Sequence, residues 1–358
     1  MNTPLNTGRA PRSALGITVF ALIAIIGLYY VKWSPYYDRA FVAADSHAIG
    51  SSILTGGAAS APAPSWSAAL SYAIAYGKAI WKAMVLGLLL GSAVQALLPR
   101  RWITRLLGSA APGSMVAGGL LSLPGMMCTC CAAPVVAGLR KCQASPGAAA
   151  AFWLGNPVLN PATLIFMGFV LGWQWMGLRL VLGIVMVFAL GWLLDRMGQG
   201  ARNAAGQMPV PQPQDDQVQA DLPVHPFLRW IKLLAGMSVR LIPEYVVLVL
   251  LLGAARAWLF PAFGPGIDNS LWLIVGLAIA GALFVIPTAG EIPIVQGMLA
   301  LGVAAGPAAA LLMTLPAISL PSLAMLAKSF RLRELAVLFA GVVVTGLLAA
   351  GVAIGLRF

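Results

Sequence analysis

Long apolar runs, separated by short clusters of Arg, Lys, Pro and Gly, set the pattern of this chain. The first, Ser13–Val31, holds no charge between Arg12 and Lys32. At about 1.5 Å per residue it is long enough to cross a hydrocarbon core of ~30 Å. It reads as a signal anchor rather than a cleaved signal peptide, because Tyr29–Trp33 is a poor cleavage site. Further spans are predicted at Ala75–Leu98, Ala148–Leu171, Leu178–Leu194, Leu241–Phe260, Pro307–Ala327 and Leu335–Leu356. Gly113–Leu139 and Leu271–Leu301 are too long for one crossing and too short for two, and Pro, Gly and polar residues break each in its middle. Both are predicted to be re-entrant hairpins.

The pattern occurs twice. Pro134 and Pro293, Gly138 and Gly297, Gly147 and Gly306, and Pro157 and Pro316 are each separated by 159 residues (293−134, 297−138, 306−147 and 316−157). Asn156-Pro157-Val158-Leu159-Asn160-Pro161 is echoed by Leu315-Pro316-Ala317-Ile318-Ser319-Leu320-Pro321, which puts Ser319 at the Asn160 position. Three crossings per copy is an odd number, so the second copy is expected to enter the membrane the other way round. The expected fold is an all-α polytopic membrane protein. It comprises two inverted-topology repeats, each of three transmembrane helices and a broken hairpin, plus an extra N-terminal transmembrane helix. The expected divisions are 1–74 for the anchor and outer segment, 75–197 and 229–358 for the repeats, and 198–228 for a cytosolic linker rich in Gln, Pro and Asp.

Composition agrees with a membrane setting: 60% of residues are hydrophobic and only 9% charged, far below the charged content of soluble domains. The net charge of +12 lies in short clusters between apolar runs, so it reads as a topology signal and not as a nucleic-acid surface. With the N-terminal tail inside, fifteen of the 22 Lys and Arg residues fall on the cytosolic side and seven outside. The outer segment Lys32–Ser71 suggests no chemistry. Multi-pass insertion in a bacterial inner membrane is expected.

The candidate chemistry sits at the hairpin tips. Met127-Cys128-Thr129-Cys130-Cys131 brings three thiols together in an apolar setting, a soft ligand set suited to a thiophilic metal or metalloid; the alternative is that they are small buried packing residues. Cys142, beside Arg140 and Lys141, reads as incidental. The second tip, Pro287-Thr288-Ala289-Gly290-Glu291, carries no cysteine and one carboxylate. Glu291 is either a coupling group, as an ionisable residue at bilayer depth suggests, or the far end of a capping box with Thr288. Asn156 and Asn160 either line a cavity or bridge neighbouring helices. Helices broken near the midplane of two repeats are the usual setting for a secondary transporter site.

Pro124–Pro161, with Cys-Thr-Cys, Pro-Val-Val-Ala-Gly-Leu-Arg-Lys and Asn-Pro-Val-Leu-Asn-Pro, resembles the predicted-permease family that includes organoarsenical and arsenite exporters. Pro287–Pro293 and Leu315–Pro321 are similar to that family's second repeat. The resemblance runs over roughly Ala75–Leu356 apart from the linker. It implies an inner-membrane permease with Cys128, Cys130, Glu291, Asn156 and Asn160 on signature positions. Cys131 is an extra thiol beside the usual pair, and Pro287 stands where many relatives keep a cysteine.

The expected function is a secondary permease exporting a thiophilic metal(loid) or related small solute, with Cys128, Cys130 and Cys131 as its ligands. Asn156, Asn160 and Ser319 are expected to contribute to the substrate site and Glu291 to coupling. The alternative is a membrane-embedded thiol redox or scaffold protein. Cys128-Thr129-Cys130 lacks the two-residue spacing of thioredoxin-type pairs. No P-loop, dinucleotide loop or metalloprotease helix motif occurs, so neither an enzyme nor a cofactor is expected. The expected partners are a small inorganic or organometalloid solute and the lipid bilayer, with no nucleic acid; the sequence fixes no oligomeric state.

Overall fold

The computed structural model describes residues 10–55, 61–204, 226–260 and 268–358, and among these there are helices and no strands. Six helices are long and apolar enough to cross a membrane, which makes this a multi-pass integral membrane protein. Most of the expected linker, at 205–225, lies outside the described residues.

The N-terminal helix is longer than its apolar run. α1 (Ala10–Leu28) passes through a π-helical turn at Tyr29–Trp33 into α2 (Ser34–Ser46). Lys32, expected outside, is buried in that turn. α3 (Trp66–Leu97) starts with Ser65 as its N-cap, nine residues before the expected start of the first repeat. α4 (Arg100–Leu107) is a short helix preceding the first hairpin.

That hairpin is α5 (Pro112–Ser122) and α6 (Thr129–Lys141); its counterpart is α11 (Leu271–Leu283) and α12 (Glu291–Ala300). The span expected at Ala148–Leu171 is two helices, α7 (Pro146–Val158) and α8 (Pro161–Val170). The Pro161 ring cannot continue the preceding ladder, and the Asn160 side chain instead accepts from the first N–H groups of α8. The second copy breaks in the same place, between α13 (Ala305–Ala317) and α14 (Leu320–Leu326), where Ser319 is the N-cap. α9 (Trp173–Ala204) and α15 (Leu332–Gly355) close the two copies, and α10 (Pro226–Leu259) corresponds to α3.

Packing repeats with the elements. α7 lies against α5, α6 and α9, and α13 against α11, α12 and α15 in the same arrangement. Across the halves, α6 touches α14 and α12 touches α8, so each hairpin reaches the broken crossing of the other copy. The first helices depart from this symmetry. α3 packs closely on α6, because glycines let the two backbones approach where they come nearest. A Cβ on Gly138 would stand 2.6 Å from the Gly91 carbonyl oxygen, and one on Gly91 2.9 Å from the Val135 nitrogen. α10 makes no comparable contact with α12, and Gly297, the counterpart of Gly138, faces open space.

Candidate functional site

At the first tip the chain leaves α5, passes Met126 in a left-handed conformation (φ 48°) and enters α6 with Cys128 as the N-cap residue. An αL conformation at a non-glycine residue costs about 1–3 kcal/mol and is held only where the surroundings fix it. Here the fixing group is Asn156, whose Oδ1 accepts from the Met127 N–H at 3.4 Å while its Nδ2 donates to the Phe152 carbonyl at 2.9 Å. Because Cys130 and Cys131 occupy the first turn of α6, all three thiols fall on one point. Cys128 Sγ is 2.9 Å from that of Cys131 and 3.4 Å from that of Cys130, and all three sulfurs lie within 4.8 Å of one another. Cys142 lies at the other end of α6.

Two tyrosines hold the thiols from below. Tyr76 of α3 and Tyr245 of α10 bring their hydroxyls within 3.1 and 3.3 Å of Cys130 Sγ, and Tyr245 donates to Tyr76 at 2.7 Å. The two first helices therefore meet beside the cysteine cluster. Nothing in their apolar periodicity distinguished these tyrosines from packing residues.

The second tip has a different chemistry. Ala289 takes the left-handed conformation there (φ 66°), and Glu291 opens α12. The capping box with Thr288 is not formed. Instead the Glu291 carboxylate accepts from Arg179 Nη1 of α9 in a fully buried ion pair. Arg179 also donates from Nη2 to the Pro157 carbonyl at 2.6 Å and from Nε to the Val158 carbonyl at 3.1 Å. It thus caps the end of α7 and fastens the second hairpin to the break in the first copy. Arg179 was expected outside; it is buried because the open carbonyls of a helix ending inside the membrane need a donor.

The first tip is tied to the opposite break in turn. Thr129 Oγ1 is 3.3 Å from Ser319 Oγ, which is also 3.0 Å from Ser322 Oγ. Of the expected site residues, Cys128, Cys130, Cys131, Asn156 and Ser319 thus gather around the first tip. Asn160 caps α8, with its Nδ2 buried and without a partner, and Glu291 belongs to the second tip.

A cavity of about 920 Å³ leads to the thiols. Cys128 lines it, together with Pro287–Gly290 of the second tip, one side of α3 and residues of the N-terminal segment. Lys32, placed in this wall by the π-helical turn, donates to Tyr36 Oη at 3.1 Å and to Thr288 Oγ1 at 3.2 Å. Trp33 anchors the turn by donating to the Pro124 carbonyl at 2.8 Å, on the first tip. The segment with no assigned chemistry therefore bridges both hairpins. The one sequence signal for this was a lysine directly after an apolar run, which membrane proteins commonly use as an end marker.

The Arg179–Glu291 pair makes a direct prediction. Arg179→Met leaves a buried carboxylate without its counter-charge and is expected to cost about 3–5 kcal/mol, seen as a large fall in the thermal unfolding midpoint of purified protein. Arg179→Met combined with Glu291→Leu should recover part of that loss. Simple addition of the two single effects would contradict a direct pair.

The comparisons with known proteins agree with this architecture. Residues 65–356 match the model of the ArsP_1 family, described as a predicted permease. The chain is 52% identical over 339 residues to the UPF0718 protein YraQ of Escherichia coli (strain K12), covering 94% of each. It is 22% identical over 313 residues to the UPF0718 protein MJ0584 of Methanocaldococcus jannaschii, covering 69% of this chain and 84% of that protein. No solved structure gave a significant match. The bacterial relative fits the expected inner-membrane location. The chain belongs to this predicted-permease family and is a membrane transporter rather than an enzyme.

Proposed function

We propose that this permease moves a small thiophilic solute, a metal(loid) or a related species, through a site whose soft ligands are Cys128, Cys130 and Cys131. The observation that supports this reading most is the three sulfurs within 4.8 Å of one another at a hairpin tip, with Cys128 facing a cavity. Packing residues have no need to converge in this way, whereas a soft centre needs several sulfurs at one point. Asn156 and Ser319 then hold the tip in register, and Asn160, with its free amide N–H, supplies a donor at the break. Export by an ion- or proton-coupled process fits a chain without a nucleotide-binding motif.

One observation favours the redox alternative. Cys128 and Cys131 have the two-residue spacing that the Cys128–Cys130 comparison missed, and their sulfurs are 2.9 Å apart at a helix N-terminus. Single Cys→Ser variants separate the two readings. For a ligand site, each of Cys128→Ser, Cys130→Ser and Cys131→Ser weakens arsenite or copper(I) binding to the reduced protein, and Cys142→Ser leaves it near wild type. For a redox pair, Cys128→Ser and Cys131→Ser abolish reversible oxidation together with arsenite binding by the reduced dithiol, and Cys130→Ser leaves both near wild type.

Glu291 is the proposed coupling group, acting by making and breaking its pair with Arg179. Glu291→Gln keeps an acceptor for Arg179 but cannot titrate. It is expected to insert normally and lose the pH dependence of transport in proteoliposomes. Transport that keeps its wild-type pH profile would leave Glu291 as a fastening between the two halves.

A further inference from the structure

The cavity above the thiols is strongly and uniformly basic. Lys32, Arg39, Lys78, Lys82 and Arg256 line it, and none of its lining residues among those described is acidic. Seven Lys and Arg residues were assigned to the outer side, so five of those seven surround one cavity. The other two are Arg179, which is paired with Glu291, and Arg357. Topology signals have no reason to collect around one opening, because the positive-inside bias acts through loop counts and not through positions in a fold.

Two of the five cations are buried. Lys32 is 4% exposed and is bonded only to the hydroxyls of Tyr36 and Thr288, with no carboxylate paired to it among the described residues. Arg256 is 6% exposed, lies over the Tyr72 ring at 5.5 Å, and its Nε has no hydrogen-bond partner. A buried cation held only by neutral groups is costly, and an anionic ligand supplies the missing charge.

We infer that the cavity is an anion-binding vestibule, and that the transported solute is a small anion with a soft atom at one end, the acid group meeting Lys32 and Arg256 and the soft atom meeting Cys128. A free metal cation would enter against five positive charges, which the same field disfavours. The N-terminal segment is thereby part of the substrate site: Lys32 and Arg39 precede residue 65, where the match to the family begins. The π-helical turn is what brings Lys32 into the wall, and such turns are frequent at functional sites.

The soft-atom half of this inference rests on the thiol site proposed above, whereas the anionic half does not, and one experiment separates them. Thiosulfate, the probe, is a dianion ending in a soft sulfur that accepts S–H hydrogen bonds from the reduced thiols; sulfate is its hard counterpart and zinc a cationic control. Each is titrated calorimetrically into the reduced full-length protein in nanodiscs. Thiosulfate is expected to bind more tightly than sulfate, and zinc not to compete. Lys32→Met should weaken thiosulfate by at least about tenfold, with Lys32→Arg restoring most of the affinity. Lys78→Gln with Lys82→Gln, at exposed positions that folding tolerates, should weaken it severalfold and flatten its dependence on salt. If the triple Cys→Ser protein binds thiosulfate and sulfate alike while remaining sensitive to Lys32, the thiol reading falls and the anion vestibule stands. No thiosulfate binding by the wild-type protein, an affinity indifferent to both lysine changes, or zinc that displaces thiosulfate from the wild-type protein would overturn the vestibule.

Discussion

Backbone that stops being helical inside a membrane must find donors and acceptors within the protein, and this requirement organises the structure around its centre. Four helix interruptions lie there: two hairpin tips and two broken crossings. Each is completed by another. Arg179 joins the end of α7 to the second tip through Glu291; Asn156 holds the first tip through the Met127 N–H; Asn160 and Ser319 start the short helices after the breaks; and Thr129 meets Ser319. The polar groups exist because the helices are broken, and the breaks put chemistry at depth.

The two copies share this frame but not its contents. α3 closes on α6 through facing glycine backbones and brings Tyr76 to the thiols, whereas α10 stands away from α12. The space beside the second tip is then bordered by α3 and by the N-terminal segment, whose Lys32 reaches Thr288. An asymmetric pair of first helices thus accounts for a cavity on one side of a repeated fold, with basic walls and a thiol at its inner end.

Much of this frame was legible in the sequence. Prolines and glycines at an offset of 159 marked the repeat, the apolar length of Gly113–Leu139 and Leu271–Leu301 marked the hairpins, and three cysteines at a break marked the first tip. Asn156 and Asn160 stood out as amides four residues apart, each directly before a proline, with cavity lining and helix bridging both open, and Ser319 by its place at the Asn160 position. The misreadings share a physical cause: local pattern cannot tell a charge at a membrane surface from a charge turned inward. Arg179 and Lys32 each flank an apolar run as an end marker would, and only the tertiary contact with Glu291 or Thr288 reveals their place. Tyr76 and Tyr245 lie 169 residues apart and look like aromatic packing until the two helices are brought together.

A cavity that ends at one thiol makes the sharpest demand on experiment. Reduced protein treated briefly with a small, charged, water-soluble alkylating reagent and mapped by mass spectrometry should be modified at Cys128, which lines the cavity, well before Cys130, Cys131 or Cys142, which are buried without lining it. Prior addition of a bound solute should protect Cys128. Modification of Cys142 first, or equal labelling of all four cysteines, would contradict a cavity leading to the thiol cluster.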